Sequence, residues 1–168
     1  MSEYHVAECM IRQLHARYTD AVWRKDIAAF ADCFADDCEW RIMGRVMTGR
    51  AQASEFMNGI FARLERILIT IRTPVLDIGD GIASGRSYFT ELSVGPDGSH
   101  LAPIGSYYER FVDQGDRWRF SWRLFQLEYF EISQHGGTVF NNPDWGAPPA
   151  MPPRDTFAPD HAGFMTKQ

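Results

Sequence analysis

The chain has 168 residues, of which 45% are hydrophobic, and a formal net charge of −5, which fits one soluble domain with a single core. It has no apolar stretch near the ~20 residues of a membrane span, no visible secretory leader and no basic stripe for nucleic acid. We therefore expect a cytoplasmic protein that binds neither membrane nor nucleic acid. Aromatic residues make up 14% of the chain, and such residues line ligand pockets as readily as they fill cores.

Neither the cysteines nor the acidic pairs predict a metal site. Cys9, Cys33 and Cys38 are an odd number without metal-ligand spacing, which favours reduced thiols. Asp36 and Asp37 look like a metal pair only in isolation. They fall between a predicted helix and a predicted strand, where capping is the simpler interpretation. We expect no metal and no cofactor.

Helical spacing dominates the first part of the chain. The spacing predicts a helix over residues 3–24, because apolar side chains recur every four residues. These positions are Val6, Met10, Leu14, Tyr18 and Val22. Asp26 is placed to cap a second, shorter helix, a strand is predicted over 38–42 with a turn at Gly44, and a third amphipathic helix follows Gly49.

The rest of the domain is predicted to be strands. Residues 67–78 are rich in β-branched side chains but contain Pro74, which indicates a bend or bulge. Further strands are predicted over 82–94, 104–113 and 117–132. Three helices followed by a meander of long strands indicate an α+β fold, with a curved antiparallel sheet packed on the N-terminal helices.

The composition changes at residue 134. Residues 134–168 hold six of the nine prolines, which is typical of irregular structure. Yet aromatic side chains also occur there, and a purely disordered tail would have fewer. They are Phe140, Trp145, Phe157 and Phe164. We predict a domain over 1–133 and an irregular extension over 134–168 that packs on the domain or on a partner subunit.

Several separated segments then carry a family resemblance. They are RYTDAVWRKD (17–26), FADDCEW (34–40), ASGRSY (83–88), GSYYERF (105–111) and WRF (118–120). Their order over about residues 5–132 resembles the SnoaL-like, nuclear-transport-factor-2-like superfamily. The resemblance implies a cone in which a strongly curved sheet and three helices enclose an apolar pocket. It also implies a homodimer or higher homo-oligomer, since this sheet commonly forms dimers.

The resemblance leaves the reaction open, because the fold hosts ketosteroid isomerases, scytalone dehydratases, polyketide cyclases, dehydrochlorinases and non-catalytic subunits. The dehydratase and dehydrochlorinase branches place an Asp where this chain has Trp23. The His that such an Asp orients is expected where this chain has Ile69 or Thr70. The isomerase branch places a general-base Asp where this chain has Ile42. The usual His–Asp mechanism is therefore not expected here.

Four residues are predicted to be catalytic. Tyr18 and Tyr107 match pocket positions of the family, where a phenol donates to a substrate oxygen on which charge develops. Tyr18 also continues the core stripe of the first helix, which is the alternative role. Arg123 matches a functional arginine of the dehydrochlorinase branch and would stabilise an anion. Glu91 shares one face of its strand with Ser87 and is a candidate base, or else a solvated strand-end glutamate.

A second set is predicted to bind the substrate. Its members are Trp23, Trp40, Phe61, Phe89 and Glu109. Glu109 is also expected to form an ion pair with Arg119 or Arg123, and it is a further candidate for moving a proton.

The histidines provide weaker candidates for the site. His15 is expected at a helix flank, and His100 in or beside a hairpin turn. His135 and His161 fall in the extension, which would have to fold back to bring either to the pocket.

Two functions remain open at this point. The first is a metal-independent lyase or isomerase, such as a dehydratase, isomerase or cyclase, acting on a small hydrophobic cyclic molecule. The second is a ligand-binding or accessory subunit on the same scaffold, comparable to the small subunit of ring-hydroxylating dioxygenases. A purely structural dimer module also fits but predicts nothing distinctive.

Overall fold

Three helices and a seven-stranded sheet make up the part of the chain that the computed structural model describes, residues 3–134. The helices are α1 (Glu3–Arg24), α2 (Ile27–Asp32) and α3 (Arg50–Arg63). The strands are β1 (Phe34–Ile42), β2 (Arg45–Thr48), β3 (Arg66–Ile71), β4 (Val75–Ile78), β5 (Ile82–Val94), β6 (His100–Asp113) and β7 (Trp118–Ser133). Of the predicted extension 134–168, all but Gln134 lies outside the described residues.

The helices form where their spacing and caps require. α1 buries one stripe against the sheet, which includes Ile11, Leu14, Tyr18 and Val22. The predicted cap of α2 is confirmed: the carboxylate of Asp26 accepts a hydrogen bond of 2.9 Å from the backbone N–H of Ala29. Such a cap satisfies one of the donors that a helix start leaves unpaired.

The sheet is ordered β2-β1-β7-β6-β5-β3, and β4 also pairs with β5. Every described pair is antiparallel except β1 with β7, which is parallel. The curved sheet packed on three helices confirms the α+β cone, with this one parallel pair added. Register shifts between β6 and β7, at Ile104/Gly105 and at Arg110/Phe111, mark bulges that bend the long strands.

A break at Pro74 and a turn at Met43 and Gly44 explain how the strands are divided. Pro74 interrupts the predicted strand 67–78, and the pieces on either side, β3 and β4, pair with successive parts of β5. Strand β2 was not predicted. It follows a two-residue turn in which Met43 and Gly44 both have positive φ (50° and 75°), the geometry that joins hairpin strands with matching twist.

The core lies between the helices and the inner face of the sheet and is mostly aromatic. Its largest fully buried aromatic side chains are Tyr18, Phe30, Phe34, Trp40, Phe89, Phe111 and Phe120. Within residues 3–134, every helix is too short or too polar to cross a membrane.

Candidate functional site

The centre of the candidate site is the guanidinium group of Arg123, on β7, whose side chain is fully buried. Its Cζ atom lies 3.6 Å from the ring centroid of Tyr107, 4.1 Å from that of Tyr18 and 4.5 Å from that of Phe120. A desolvated contact of this kind is worth about 2 kcal/mol. The structure therefore brings together three of the four predicted catalytic residues.

Glu109 binds this guanidinium through its Nε atom. Its Oε1 accepts a hydrogen bond of 2.8 Å from Nε of Arg123. Its Oε2 lies 2.8 Å from Nε2 of His15 and accepts a hydrogen bond of 3.1 Å from Oγ of Ser87. The predicted ion pair between Glu109 and Arg123 is present, and both side chains are completely buried. We call these six residues the Arg123 cluster: His15, Tyr18, Ser87, Tyr107, Glu109 and Arg123.

The expected place of His15 at a helix flank is wrong. His15 is 5% exposed, and its ring contacts Phe111 and Phe120 at centroid distances of 5.6 and 5.4 Å. A signal was present in the sequence, because His15 follows Ile11 by four residues and precedes Tyr18 by three. Those spacings place all three side chains on one face of a helix. A pattern of apolar residues alone does not include a polar residue in the same register.

Burial determines the protonation of the two phenols. It raises the pKa of Tyr18, and the positive charge of Arg123 and a hydrogen bond with Tyr107 only partly offset this. Burial, reinforced by the neighbouring Tyr18, raises the pKa of Tyr107 well above its usual value. Both residues are therefore neutral phenols, and one of their two O–H groups is donated in the hydrogen bond between them.

The two glutamates differ. Burial acts to raise the pKa of Glu109, but the charges of His15 and Arg123 outweigh it and the net shift is downward. Glu91 is half-buried on β5, on the same face as Ser87 as strand alternation predicted, and it accepts a hydrogen bond of 2.6 Å from Oγ of Ser93. Burial raises the pKa of Glu91, so it is not a fully solvated strand-end carboxylate.

Trp23 and β3 meet where the resemblance implies an acid–base pair in relatives. Trp23 is 39% exposed, and its indole Nε1 donates a hydrogen bond of 2.7 Å to the backbone carbonyl of Ile69. Positions 23 and 69 are thus in contact, as the family register implies. They hold an indole and a backbone carbonyl, and neither group exchanges a proton near neutral pH.

The other predicted binding residues lie in two places. Phe89 contacts the ring of Tyr107 at a centroid distance of 4.8 Å and so borders the Arg123 cluster. Trp40 and Phe61 lie further along the core, at 5.8 and 6.3 Å from the ring of Phe30. Nε1 of Trp40 is buried and has no hydrogen-bond partner among the described residues.

Of the two partners expected for Glu109, Arg123 is the one present; Arg119 instead binds the carboxylates of Asp32 at 3.0 Å and Asp116 at 2.8 Å. The expectation that Asp36 caps a helix is wrong, because it lies within β1 and forms an ion pair of 2.9 Å with Arg50. Within residues 3–134 no three metal-ligating side chains come together. His135 and His161 lie outside the described residues.

The comparison with known families agrees with this geometry. The model of the SnoaL-like domain matches residues 7–123, which is well over half of the chain. The protein therefore belongs to the SnoaL-like domain family.

Solved structures show the same fold. A protein of unknown function from Mycobacterium tuberculosis, Rv3472 in its D26N form, is 23% identical, with a TM-score of 0.69 over 75% of this chain and 74% of that chain. The hexachlorocyclohexane dehydrochlorinase LinA type 2 is 18% identical, with a TM-score of 0.73 over 88% and 97%. A candidate scytalone dehydratase from Novosphingobium aromaticivorans is 18% identical, with a TM-score of 0.70 over 86% and 97%.

No match was found among proteins whose functions have been curated. At these identities the similar structures establish the fold alone, because this fold supports many reactions. The function has to be argued from the residues of the site.

Proposed function

We propose that the protein is a metal-independent lyase or isomerase that acts on a small, hydrophobic, cyclic molecule, as a dehydratase, an isomerase or a cyclase does. The observation that supports this most directly is the stack of Tyr18, Arg123 and Tyr107 beside Glu91. It combines two neutral phenols, one fixed positive charge and one carboxyl group of raised pKa whose charge acts on both phenols. Donors and charge placed in advance stabilise negative charge as it develops.

In the proposed reaction Glu91 removes a proton from a substrate carbon. Its raised pKa makes the carboxylate a stronger base than an ordinary glutamate, closer to the pH at which it works. The electron pair of the broken C–H bond moves toward a substrate oxygen or toward a leaving group. Tyr18 and Tyr107 donate hydrogen bonds to that developing charge. In an isomerisation Glu91 returns the proton to another carbon, and in an elimination the leaving group departs with its electron pair.

Glu109 has a different role in this proposal. Both of its oxygens already bind protein atoms, and its lowered pKa keeps it a poor base. It therefore serves as a positioning residue for Arg123 rather than a group that moves protons or binds substrate directly.

The names of similar structures support only the class. One is a dehydrochlorinase and another a candidate dehydratase, and both names describe the elimination of a small group. The missing His–Asp pair sets this chain apart from the mechanism that the resemblance implies, which is why the proposal uses Glu91.

The test is a turnover screen of cyclic hydrophobic alcohols, ketones and halides, followed by NMR or mass spectrometry. On any substrate that the wild type converts, we expect Glu91→Gln to lower kcat by about 10²–10⁴-fold. We expect Tyr18→Phe to lower it by about 10²–10³-fold.

Matched controls are available on β7. Glu128→Gln and Tyr129→Phe make the same chemical changes at exposed positions and are expected to leave kcat within about twofold. Turnover that survives Glu91→Gln unchanged would exclude the proposed base.

One observation favours the accessory or ligand-binding alternative. An open groove of about 640 Å³ lies on the sheet, with Arg86, Tyr108, Arg110 and Trp122 among its lining residues and, from the Arg123 cluster, Glu109. A ligand in this groove would not require the stack of Tyr18, Arg123 and Tyr107. A ligand bound without conversion, together with co-purification of a larger iron–sulfur subunit, would support this alternative. The homodimer stays a prediction, and sedimentation as a monomer at micromolar concentration would contradict it.

A further inference from the structure

The hydrogen bonds of His15 determine how many protons the Arg123 cluster holds. Its Nδ1 lies 3.0 Å from the backbone carbonyl oxygen of Ile11. A carbonyl oxygen only accepts hydrogen bonds, so Nδ1 carries a hydrogen. Its Nε2 lies 2.8 Å from Oε2 of Glu109. That contact is attractive only when a proton lies between the two atoms.

This proton changes the charge balance of the cluster. An imidazolium with a carboxylate and a neutral imidazole with a carboxylic acid have the same total charge, which is zero. His15 therefore neutralises Glu109, and Glu109 does not neutralise Arg123 as well. Tyr18 and Tyr107 are neutral, and Glu91, which accepts a hydrogen bond from Ser93, forms no ion pair with Arg123. The six residues of the Arg123 cluster therefore carry one net positive charge, on a completely buried guanidinium. A buried charge without a counter-charge is costly.

The guanidinium also has unused donors. Nη1 and Nη2 of Arg123 are buried and make no hydrogen bond of good geometry to a described residue, although the hydroxyl of Tyr18 lies close enough to the guanidinium for Arg123 to act on the pKa of Tyr18. The rings of Tyr18 and Tyr107 lie against the group, and Glu109 occupies its Nε side. A further acceptor would therefore approach the Nη1–Nη2 edge. That edge matches the two oxygens of a carboxylate, which it binds with two parallel hydrogen bonds.

A neighbouring side chain offers one more donor. Trp40 on β1 is the register partner of Arg123 on β7, and both side chains are buried on the inner face. Nε1 of Trp40, like Nη1 and Nη2 of Arg123, lacks an acceptor among the described residues. This part of the interior has an excess of donors and of positive charge.

We propose that the ligand of this interior is a carboxylic acid, with a cyclic apolar body and a carboxylate bound by Nη1 and Nη2 of Arg123. The inference rests on the proposed function in one respect, that the substrate enters the interior beside Tyr18 and Tyr107. It adds a substrate class, since the substrate carries its negative charge before any reaction begins.

The test compares acids with their neutral isosteres by isothermal titration calorimetry at pH 7.5. The probes are cyclohexanecarboxylate and 1-naphthoate, each paired with its carboxamide. Hydrogen bonds to charged groups are worth about 1.5–3 kcal/mol, so we expect the wild type to bind each acid about 10–100-fold more tightly than its amide. Equal affinities would overturn the proposal and would mean that water satisfies the Nη donors.

The main variant is Arg123→Met. It removes the guanidinium and leaves His15 paired with Glu109, so that no unpaired charge is left buried, and we expect the preference for acids to disappear. The matched control Arg119→Met removes an arginine four residues earlier on β7 and should keep the preference. If the main variant does not fold, Arg123→Lys keeps the charge without the planar edge, and a preference that is not reduced at least about fivefold would contradict the proposal.

The two proposals fail in different ways. Equilibrium binding does not require turnover, so a preference for acids without any conversion would reject the enzyme and keep the carboxylate site. Conversion of neutral substrates, dependent on Glu91, without a preference for acids would reject the carboxylate site and keep the enzyme.

Discussion

Glu109 and Glu91 face the same interior, yet their surroundings shift the pKa values of the two carboxyl groups in opposite directions. Glu109 is bound by Arg123 and lies against His15, which lowers its pKa in spite of burial. Glu91 accepts a hydrogen bond from the hydroxyl of Ser93, and burial raises its pKa. The two pKa values shift in opposite directions because the charged and hydrogen-bonding partners differ, since burial alone would raise both.

This difference predicts opposite effects of pH on stability. A lowered folded-state pKa means that Glu109 stabilises the protein above its unfolded pKa, near 4.5, and that this stability is lost as pH falls through the folded value. A raised folded-state pKa means that the contribution of Glu91 is present at low pH and is lost as pH rises through the folded value.

We therefore expect Glu109→Gln to lower the free energy of unfolding by about 3–5 kcal/mol at pH 7, with a smaller loss at pH 4. Glu91→Gln should raise the free energy of unfolding at pH 7 and change it little at pH 4. Urea denaturation followed by circular dichroism at both pH values measures this, with Glu128→Gln as the exposed control. Effects of the same sign in the two variants would contradict the assignment.

At the residue scale, the sequence predicts most residues of the Arg123 cluster but not the proton between His15 and Glu109. Tyr18, Tyr107, Glu109 and Arg123 were named from the resemblance and from strand alternation, and the structure brings them together. His15 was missed because its spacing on α1 was read for apolar side chains only. The uncompensated charge could not be predicted, since it depends on which atoms lie within hydrogen-bond distance.

At the scale of elements, a glycine decides how β6 and β7 approach each other. Gly105 lies at a bulge of β6, and a Cβ atom there would be 2.0 Å from the carbonyl oxygen of Gln126 on β7. Gly59 in α3 has open space around the same position. Packing therefore requires glycine at position 105 but not at position 59.

We expect Gly105→Ala to lower the free energy of unfolding by about 3 kcal/mol, because β7 has to move away. Gly59→Ala should raise it by about 0.5–1 kcal/mol, since alanine favours a helix interior. Thermal unfolding by calorimetry separates the two changes. A stable Gly105→Ala variant would mean that the strands are further apart than described.

The elements themselves were largely predictable, and their pairing was not. The four-residue spacing predicts α1, the capping residue Asp26 predicts the start of α2, and Pro74 predicts the break between β3 and β4. Strand β2 is short, and the positive φ of Met43 has no sequence signal as clear as that of a glycine. The parallel pairing of β1 with β7 joins residues about 80 positions apart, which local patterns do not encode.

At the scale of the whole molecule, β7 has two parts that differ in how many strands pair with them. Up to Leu124 it lies between β1 and β6, whereas beyond Leu124 only β6 pairs with it among the described strands. Side chains in the second part are exposed, including Tyr129, Phe130 and Ile132. The first part belongs to the core, and the second part extends past it.

Hydrogen exchange should reveal this division. Backbone amides of residues 126–132 are expected to exchange at least about tenfold faster than those of 118–124, because few buried contacts hold the second part. Mass spectrometry of peptides covering the two parts measures the difference in the full chain. Equal protection would mean that something covers the second part.

The same division has a consequence for self-association. Among the described strands, this part of β7 has one unpaired side, and the N–H and C=O groups of such a side are where another extended chain adds as a further strand and begins an aggregate. Glu128 and Glu131 interrupt the apolar side chains of this part of β7. Two copies that met along this edge would bring four like charges together. We therefore expect Glu128 and Glu131 to disfavour strand addition at this edge, as charged gatekeeper residues do beside apolar strands.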